Sequence, residues 1–294
     1  MNVQAYKTGI ILTDIKHFGL RETLDNGSTF RWTELTPTRF LGIVNNKVLQ
    51  MVEVGNHRIF IDNLTISEFE NYYYDYFDMH TDYDKAYDRL LQDKIFRELV
   101  PSSTPLRLLK QDFVESFISA YISQNNNIAR IKFTIENICQ YCGDNIFYQN
   151  RIFKSFPNLE TLSKISVSRF KELGLGYRAE GLTQAIKILR EIEIEYGDLN
   201  LYFQKFTYSD LKYFLLDFKG IGNKVADFII TMTGKCIGYE NAFVVDVWIK
   251  RAMKDLYNID ICSTNMINIL DSIYGEYKAL AQQNIFFYYR KSQN

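Results

Sequence analysis

Apolar residues recur at two different periods along the chain, and the change from one to the other falls near Thr65. Before it, Phe40-Leu41-Gly42-Ile43-Val44, the run Val48 to Val54 and the run His57 to Ile61 are rich in β-branched and aromatic residues. Asn45-Asn46-Lys47 and Gly55-Asn56 separate these runs with good turn chemistry, so the pattern predicts an antiparallel meander. After Thr65 the spacing is helical. Phe113, Val114, Phe117, Ile118, Tyr121 and Ile122 form one stripe, and a helix is expected from Ile131 to Tyr141. Further stripes are Leu211, Phe214, Leu215 and Phe218, then Val225, Phe228, Ile229 and Met232. Pro101 and Pro105 flank a polar Ser102-Ser103-Thr104, the best linker in a chain with four prolines. The expected fold is α+β and mostly helical: an N-terminal, mainly antiparallel β domain with some helix over residues 1–104, packed on a helical domain over 105–294.

Charge refines this picture. The formal net charge is −1, which argues mildly against a nucleic-acid partner. Residues 62–94, however, hold nine acids against three basic residues, leaving 26 acids and 31 basic residues elsewhere. The neutral total therefore hides a basic surplus outside an acidic block, itself expected to be solvated surface. The 47% hydrophobic content supports a sizeable core, and most of the 21 Tyr and 22 Phe must lie in it. Cys139 and Cys142 form a C-x-x-C without a second pair at zinc spacing, so ordinary thiols are expected rather than a metal site. No apolar run reaches the length of a membrane span. Lys7, Asp14 and Lys16 leave no signal-peptide core, so the expected compartment is cytoplasmic, or the nucleoid in a bacterium.

Chemistry concentrates in Leu215-Leu216-Asp217-Phe218-Lys219-Gly220-Ile221-Gly222-Asn223-Lys224. It reads as a helix, a tight turn and a second helix, a hairpin spanning about 211–233. Gly220 and Gly222 can both take positive φ, and such a turn presents N–H groups to a phosphate. On the turn alone, a plain helix–helix corner is as good a reading. Lys224 falls in the first turn of the second helix, where the positive helix end disfavours an ammonium and favours a nucleophilic amine. Asp246 lies 22 positions on, after a short apolar strand and before the apparent helix start Val247-Trp248-Ile249. Helix N–H groups would hold it ionised, or it is simply a cap.

Together these segments resemble the helix-hairpin-helix DNA glycosylases, and within them the 8-oxoguanine DNA glycosylase/lyases, over roughly Leu20 to Phe287. The resemblance implies that Lys224 attacks C1′ of the damaged nucleotide through a Schiff base and that Asp246 supports the sugar cation. Asn26-Gly27-Ser28-Thr29-Phe30-Arg31-Trp32 is similar to the family segment whose glycine carbonyl accepts the N7–H of the oxidised base. Gln282 and Phe286 match a pocket pair that meets the base's Watson–Crick edge and face. Asn125 and Arg130 in Ser123 to Arg130, with Tyr177 and Arg178 in Leu173 to Ala179, match residues that fill the gap left by the flipped base and meet the orphaned cytosine. Lys219, Gly220, Gly222 and Trp248 fall at phosphate-contacting positions.

Two departures stand out. Phe228 replaces a pocket cysteine of the animal enzymes, and Trp248 replaces a histidine. The expected activity is that of a bifunctional DNA glycosylase/AP lyase acting in base excision repair on 8-oxoguanine in double-stranded DNA, chiefly opposite cytosine. A monomer, no membrane partner, no catalytic metal and no cofactor are expected, apart from a structural monovalent cation at the hairpin carbonyls near Lys219 and Ile221. The alternatives are a glycosylase for alkylated bases, which Lys224 and the Gly27 segment disfavour, and a non-catalytic DNA-binding hairpin.

Overall fold

The structure, a computed structural model, describes residues 1–55, 57–101, 105–259 and 266–293. The linker expected at Ser102-Ser103-Thr104, Asn56 of one expected turn, and Cys262 lie outside the described residues.

The first sixty residues build a fully antiparallel sheet of six strands: β1 (Asn2–Tyr6), β2 (Gly9–Thr13), β3 (Trp32–Thr36), β4 (Arg39–Val44), β5 (Lys47–Glu53) and β6 (Ile59–Asp62). Their order is β1-β2-β6-β5-β4-β3. The expected meander is thus its β4-β5-β6 part, and β1 to β3 are additions to it. Period-two alternation puts one row on the inner face: Ile10 pairs with Ile61, Ile61 with Met51, and Met51 with Phe40, all fully buried. Gly42 sits opposite Trp32, where a Cβ would come within 2.3 Å of the indole, so the glycine is what leaves room for this ring. The inner face is closed by Phe69, Tyr73, Tyr76 and Phe77.

The helices form two further cores. α1 (Tyr83–Leu90) and α2 (Lys94–Leu99) pack with α8 (Val247–Tyr257) and α9 (Lys278–Ser292). Between them in sequence, α3 (Phe113–Ile122), α4 (Ile128–Cys142), α5 (Ala179–Tyr196), α6 (Tyr208–Leu216) and α7 (Asn223–Thr233) form the other core. A short hairpin, β7 (Asn145–Tyr148) with β8 (Arg151–Lys154), follows α4. The two helical cores therefore interleave along the chain, and a cleft between them is lined from distant segments.

Two members of the acidic block depart from the solvated reading. Asp62 accepts hydrogen bonds from Thr8, from Tyr148 at 2.5 Å and from Gln149 at 3.1 Å, tying the β7–β8 hairpin to the sheet. Asp78 is 2% exposed and is bonded by Tyr83 at 2.9 Å and Lys110 at 3.0 Å. Burial, which Arg31 offsets only in part, holds the Cys139 thiol up at about 12, and burial together with the Asp144 carboxylate holds the Cys142 thiol up at about 11, so neither is a reactive thiolate near neutral pH. Among the described residues, no helix is long and apolar enough to cross a membrane.

Candidate active site

The α6–α7 hairpin is fixed at both ends. Thr207 caps α6 in a reciprocal box with Asp210. At the turn only Gly220 takes positive φ, +90°. Gly222 is extended, at φ −103° and ψ 179°, correcting the expectation for the pair. Its missing side chain matters for access instead, since a Cβ there would meet nothing within 4 Å. As the N-cap of α7, Gly222 also offers no side-chain acceptor, which leaves the first N–H groups of that helix for an incoming anion. From α3, the Tyr121 hydroxyl donates to the Lys219 carbonyl at 2.6 Å and pins the turn.

Lys224 stands in the first turn of α7, half-buried, with Nζ 5.0 Å from the centroid of the Phe228 ring one turn on. Among the described residues it makes no hydrogen bond or ion pair. Its pKa is lowered, and burial is the cause; Asp246 pulls weakly the other way. The direction matches the sequence reading, but desolvation rather than the helix end produces it.

Asp246 is the N-cap of α8 and accepts the Ile249 N–H at 2.8 Å. Burial raises its pKa against the Ile249 amide, Lys224, the Trp248 amide and Arg290, so the helix N–H groups do not dominate as the sequence suggested. The residues before it form no strand. Ala242 and Val244 enter the α3–α7 core, while Phe243 and Val245 face the α8–α9 core. The alternating apolar pattern is that of an extended segment threaded between two cores, which delivers Asp246 to the cleft between them.

That cleft holds a cavity of about 410 Å³. Lys224 and Phe228 line it from α7, Asp246 and Trp248 from the start of α8, and Gln282 and Phe286 from α9, with Gly27 beside Phe286. Seven residues singled out in the sequence thus meet in one place, Trp248 being in the wall rather than outside it. Gln282 is 2% exposed, and its Oε1 has no partner, a buried acceptor awaiting a donor. Around Gly27 the backbone is clamped: Gln283 donates to the Asn26 carbonyl at 3.0 Å, and Gln111 to the Ser28 carbonyl at 2.8 Å. Among the described residues no donor takes the Gly27 carbonyl between them. Phe30, Gln283, Asn126, Asn127 and Arg290 also line the cavity and were not found from sequence. Of these only Gln283 is a buried polar residue (3% exposed), and burial is not legible in the sequence.

Gly27 has φ +86°, and a Cβ on it would lie 3.1 Å from both Ile128 Cδ1 and Phe286 Cε1. Gly27→Ala is accordingly expected to cost more than about 1 kcal/mol in urea unfolding. An unchanged midpoint would show that the loop relaxes freely.

The remaining sequence candidates form the rim. Asn125 (φ +45°) donates from Nδ2 to the Tyr177 hydroxyl at 3.3 Å, and Tyr177 is 67% exposed. Arg178 is turned inward: it donates to the Gln124 carbonyl and, at 3.2 Å, to that of Asn125. It therefore braces the turn carrying Asn125. Arg130 and Lys219 are exposed and lie outside the cavity, Lys219 facing Glu180 at 3.9 Å. Among the described residues, no group of three or more His, Cys, Asp or Glu is arranged to hold a metal ion.

Comparison with known proteins adds to this geometry. Residues 10–117 match the family described as 8-oxoguanine DNA glycosylase, N-terminal domain, and residues 118–268 the HhH-GPD superfamily base excision DNA repair protein. The solved Clostridium acetobutylicum 8-oxoguanine glycosylase/lyase, in complex with double-stranded DNA containing cytosine opposite 8-oxoguanine, superposes with a TM-score of 0.89. It is 30% identical, over 100% of this chain and 99% of its own. An N-glycosylase/DNA lyase of Saccharomyces cerevisiae is 27% identical over 94% of this chain and 77% of its own length. A probable N-glycosylase/DNA lyase of Methanothermobacter thermautotrophicus is 28% identical over 74% of this chain and 73% of its own.

Proposed function

The chain belongs to the HhH-GPD superfamily of base excision repair proteins, with the 8-oxoguanine glycosylase/lyases, and from that premise we propose how its own residues carry out the reaction. It is a bifunctional DNA glycosylase and lyase that binds duplex DNA and removes 8-oxoguanine opposite cytosine. The observation that carries the assignment of residues is the shared cavity: a desolvated amine, a carboxylate, an unpartnered amide acceptor and an unbonded backbone carbonyl face one space.

A base flipped into this cavity presents C1′ to Lys224, whose neutral form attacks as the glycosidic bond breaks and its electron pair leaves with the base. The Asp246 carboxylate supports the positive charge that develops on the sugar. Opening of the sugar ring, with the O4′–C1′ electron pair leaving to oxygen, yields the Schiff base on Lys224. Loss of a C2′ proton then expels the 3′ phosphate. Guanine carries a lone pair at N7, whereas 8-oxoguanine carries N7–H. The Gly27 carbonyl attracts the second and repels the first, and the Gln283 and Gln111 clamps keep it from turning away. The Gln282 Oε1 accepts from the Watson–Crick edge, and Phe286 and Phe228 supply rings for stacking.

At the rim, Asn125 and Tyr177 fill the gap in the duplex, Arg130 is free to reach the orphaned cytosine, and Arg178 holds the turn until DNA competes for it. Lys219 and the hairpin amides at Gly220 and Gly222 take phosphates, while the Trp248 indole lines the cavity wall. A monovalent cation at the hairpin would have to share the Lys219 carbonyl with Tyr121, and no chemical step uses it. The acting unit in this reading is a monomer. Single-turnover assays on duplexes with 8-oxoguanine opposite each of the four bases test it. Base release with strand cleavage, fastest opposite cytosine, is the expected result. Release of 3-methyladenine but not of 8-oxoguanine, or release without cleavage, would refute it.

A further inference from the structure

α9 presents three polar or aromatic groups to the cavity at a spacing of four: Gln282, Phe286 and Arg290. The third lies outside everything assigned above. The Arg290 guanidinium stacks 4.9 Å from the centroid of the Phe286 ring. Its Nη1 would stand 3.6 Å from a Cβ built on Gly27. Among the described residues the guanidinium makes no hydrogen bond or ion pair, although it is half-buried. An arginine head group carries five donors and no acceptor, and burying it unpaired costs free energy unless a ligand supplies acceptors. Asp25 and Asp246 act on it only at longer range.

We propose that Arg290 is a specificity-determining residue that donates a charge-assisted hydrogen bond to the C8 carbonyl oxygen of the flipped base. This rests on the reading of Gly27 as the N7 acceptor. Oxidation changes guanine at two adjacent positions, turning N7 into a donor and C8–H into C8=O. A base whose N7–H meets the Gly27 carbonyl carries its C8 oxygen on the same edge, and the donor stationed beside Gly27 is Arg290. Phe286 holds the guanidinium in place, so little side-chain freedom remains to be lost when the bond forms. The two atoms that distinguish the damaged base are then read by an acceptor and a donor side by side, each left unsatisfied when undamaged guanine enters. Such a pair rejects guanine more strongly than either contact alone.

The test is binding to duplexes carrying an uncleavable 2′-fluoro nucleotide, with either 8-oxoguanine or guanine opposite cytosine. Unaltered protein, Arg290→Met and Arg290→Lys are compared by Kd. The methionine variant keeps the apolar stem on Phe286 but has no donor. It is expected to lose about tenfold or more of the preference for 8-oxoguanine, through weaker binding of that duplex alone. Lysine, with a single cationic donor group, is expected to restore part of it. An unchanged preference in Arg290→Met overturns the proposal, whether both duplexes weaken together, as a phosphate contact or a damaged fold requires, or neither does. If the unaltered protein itself shows no preference for 8-oxoguanine, the reading of Gly27 fails first and takes this proposal with it.

Discussion

Lys224→Gln is expected to give no borohydride-trapped adduct on an 8-oxoguanine duplex that the unaltered chain traps covalently, and to slow base release by about a thousandfold or more. Borohydride reduces the Schiff base, so trapping reports the nitrogen that attacked. Glutamine reproduces most of the lysine's length and packing on Phe228 but has an amide nitrogen that does not attack carbon. A structural lysine would tolerate the change, and trapping by the glutamine variant at the unaltered level would remove Lys224 from the reaction. Stability separates loss of chemistry from loss of fold. The folded-state pKa of Lys224 is lowered by burial, so its ammonium is disfavoured in the folded chain. Below that lowered pKa the buried charge costs stability; as pH rises toward the ordinary 10.5 the cost disappears. At neutral pH the glutamine variant should therefore melt no lower than the unaltered chain, an inactive protein of equal or greater stability. The same shift brings the acid limb of the rate profile below 10.5, because the neutral amine is the reacting form.

What the sequence disclosed and what it hid follow from the range of the interactions involved. The hairpin was readable because Gly220, Gly222 and Lys224 are neighbours whose backbone demands are local, and Gly220 does adopt positive φ. The β4–β6 meander was readable from alternation and turn residues alone. The β7–β8 hairpin was not, because Gln149 and Asn150, both at positive φ, replace the usual Asn-Gly signal, and Phe147 and Ile152 are 76% and 59% exposed. The run before Asp246 reads as a strand in the sequence because an extended segment between two cores alternates as a strand does. α9 shows the limit most plainly. It is buried on nearly all sides, so no amphipathic pattern says which of its residues meet a cavity. Gln282 and Phe286 were found through family resemblance, while Gln283 and Arg290 required the packing of α9 against the Gly27 loop.

For Asp246 the cap and the catalyst can be told apart, because asparagine caps helices about as well as aspartate but carries no charge. Asp246→Asn can still accept the Ile249 N–H, so its stability at neutral pH is expected to be no lower than that of the unaltered chain, whereas Asp246→Ala should fall about 1 kcal/mol below Asp246→Asn for want of the cap. Both are expected to slow base release by roughly 100- to 1000-fold, the scale of removing a preorganised group from a developing charge. Burial raises the folded-state pKa of Asp246, so its ionised form begins to cost stability as pH climbs past the ordinary 3.8 and costs the full amount above the raised value. Asparagine removes that cost at neutral pH and gains nothing below the window, where aspartate is protonated in both states. Catalysis runs the other way, since the carboxylate is needed ionised. The unaltered enzyme should thus lose rate on acidification at a pH above the ordinary 3.8, and this limb should be missing from the residual activity of Asp246→Asn. Single-turnover rates from pH 4 to 9 alongside urea unfolding decide the matter. Full activity in the asparagine variant would reduce Asp246 to a helix cap, leaving the attack by Lys224 to proceed without a charge partner.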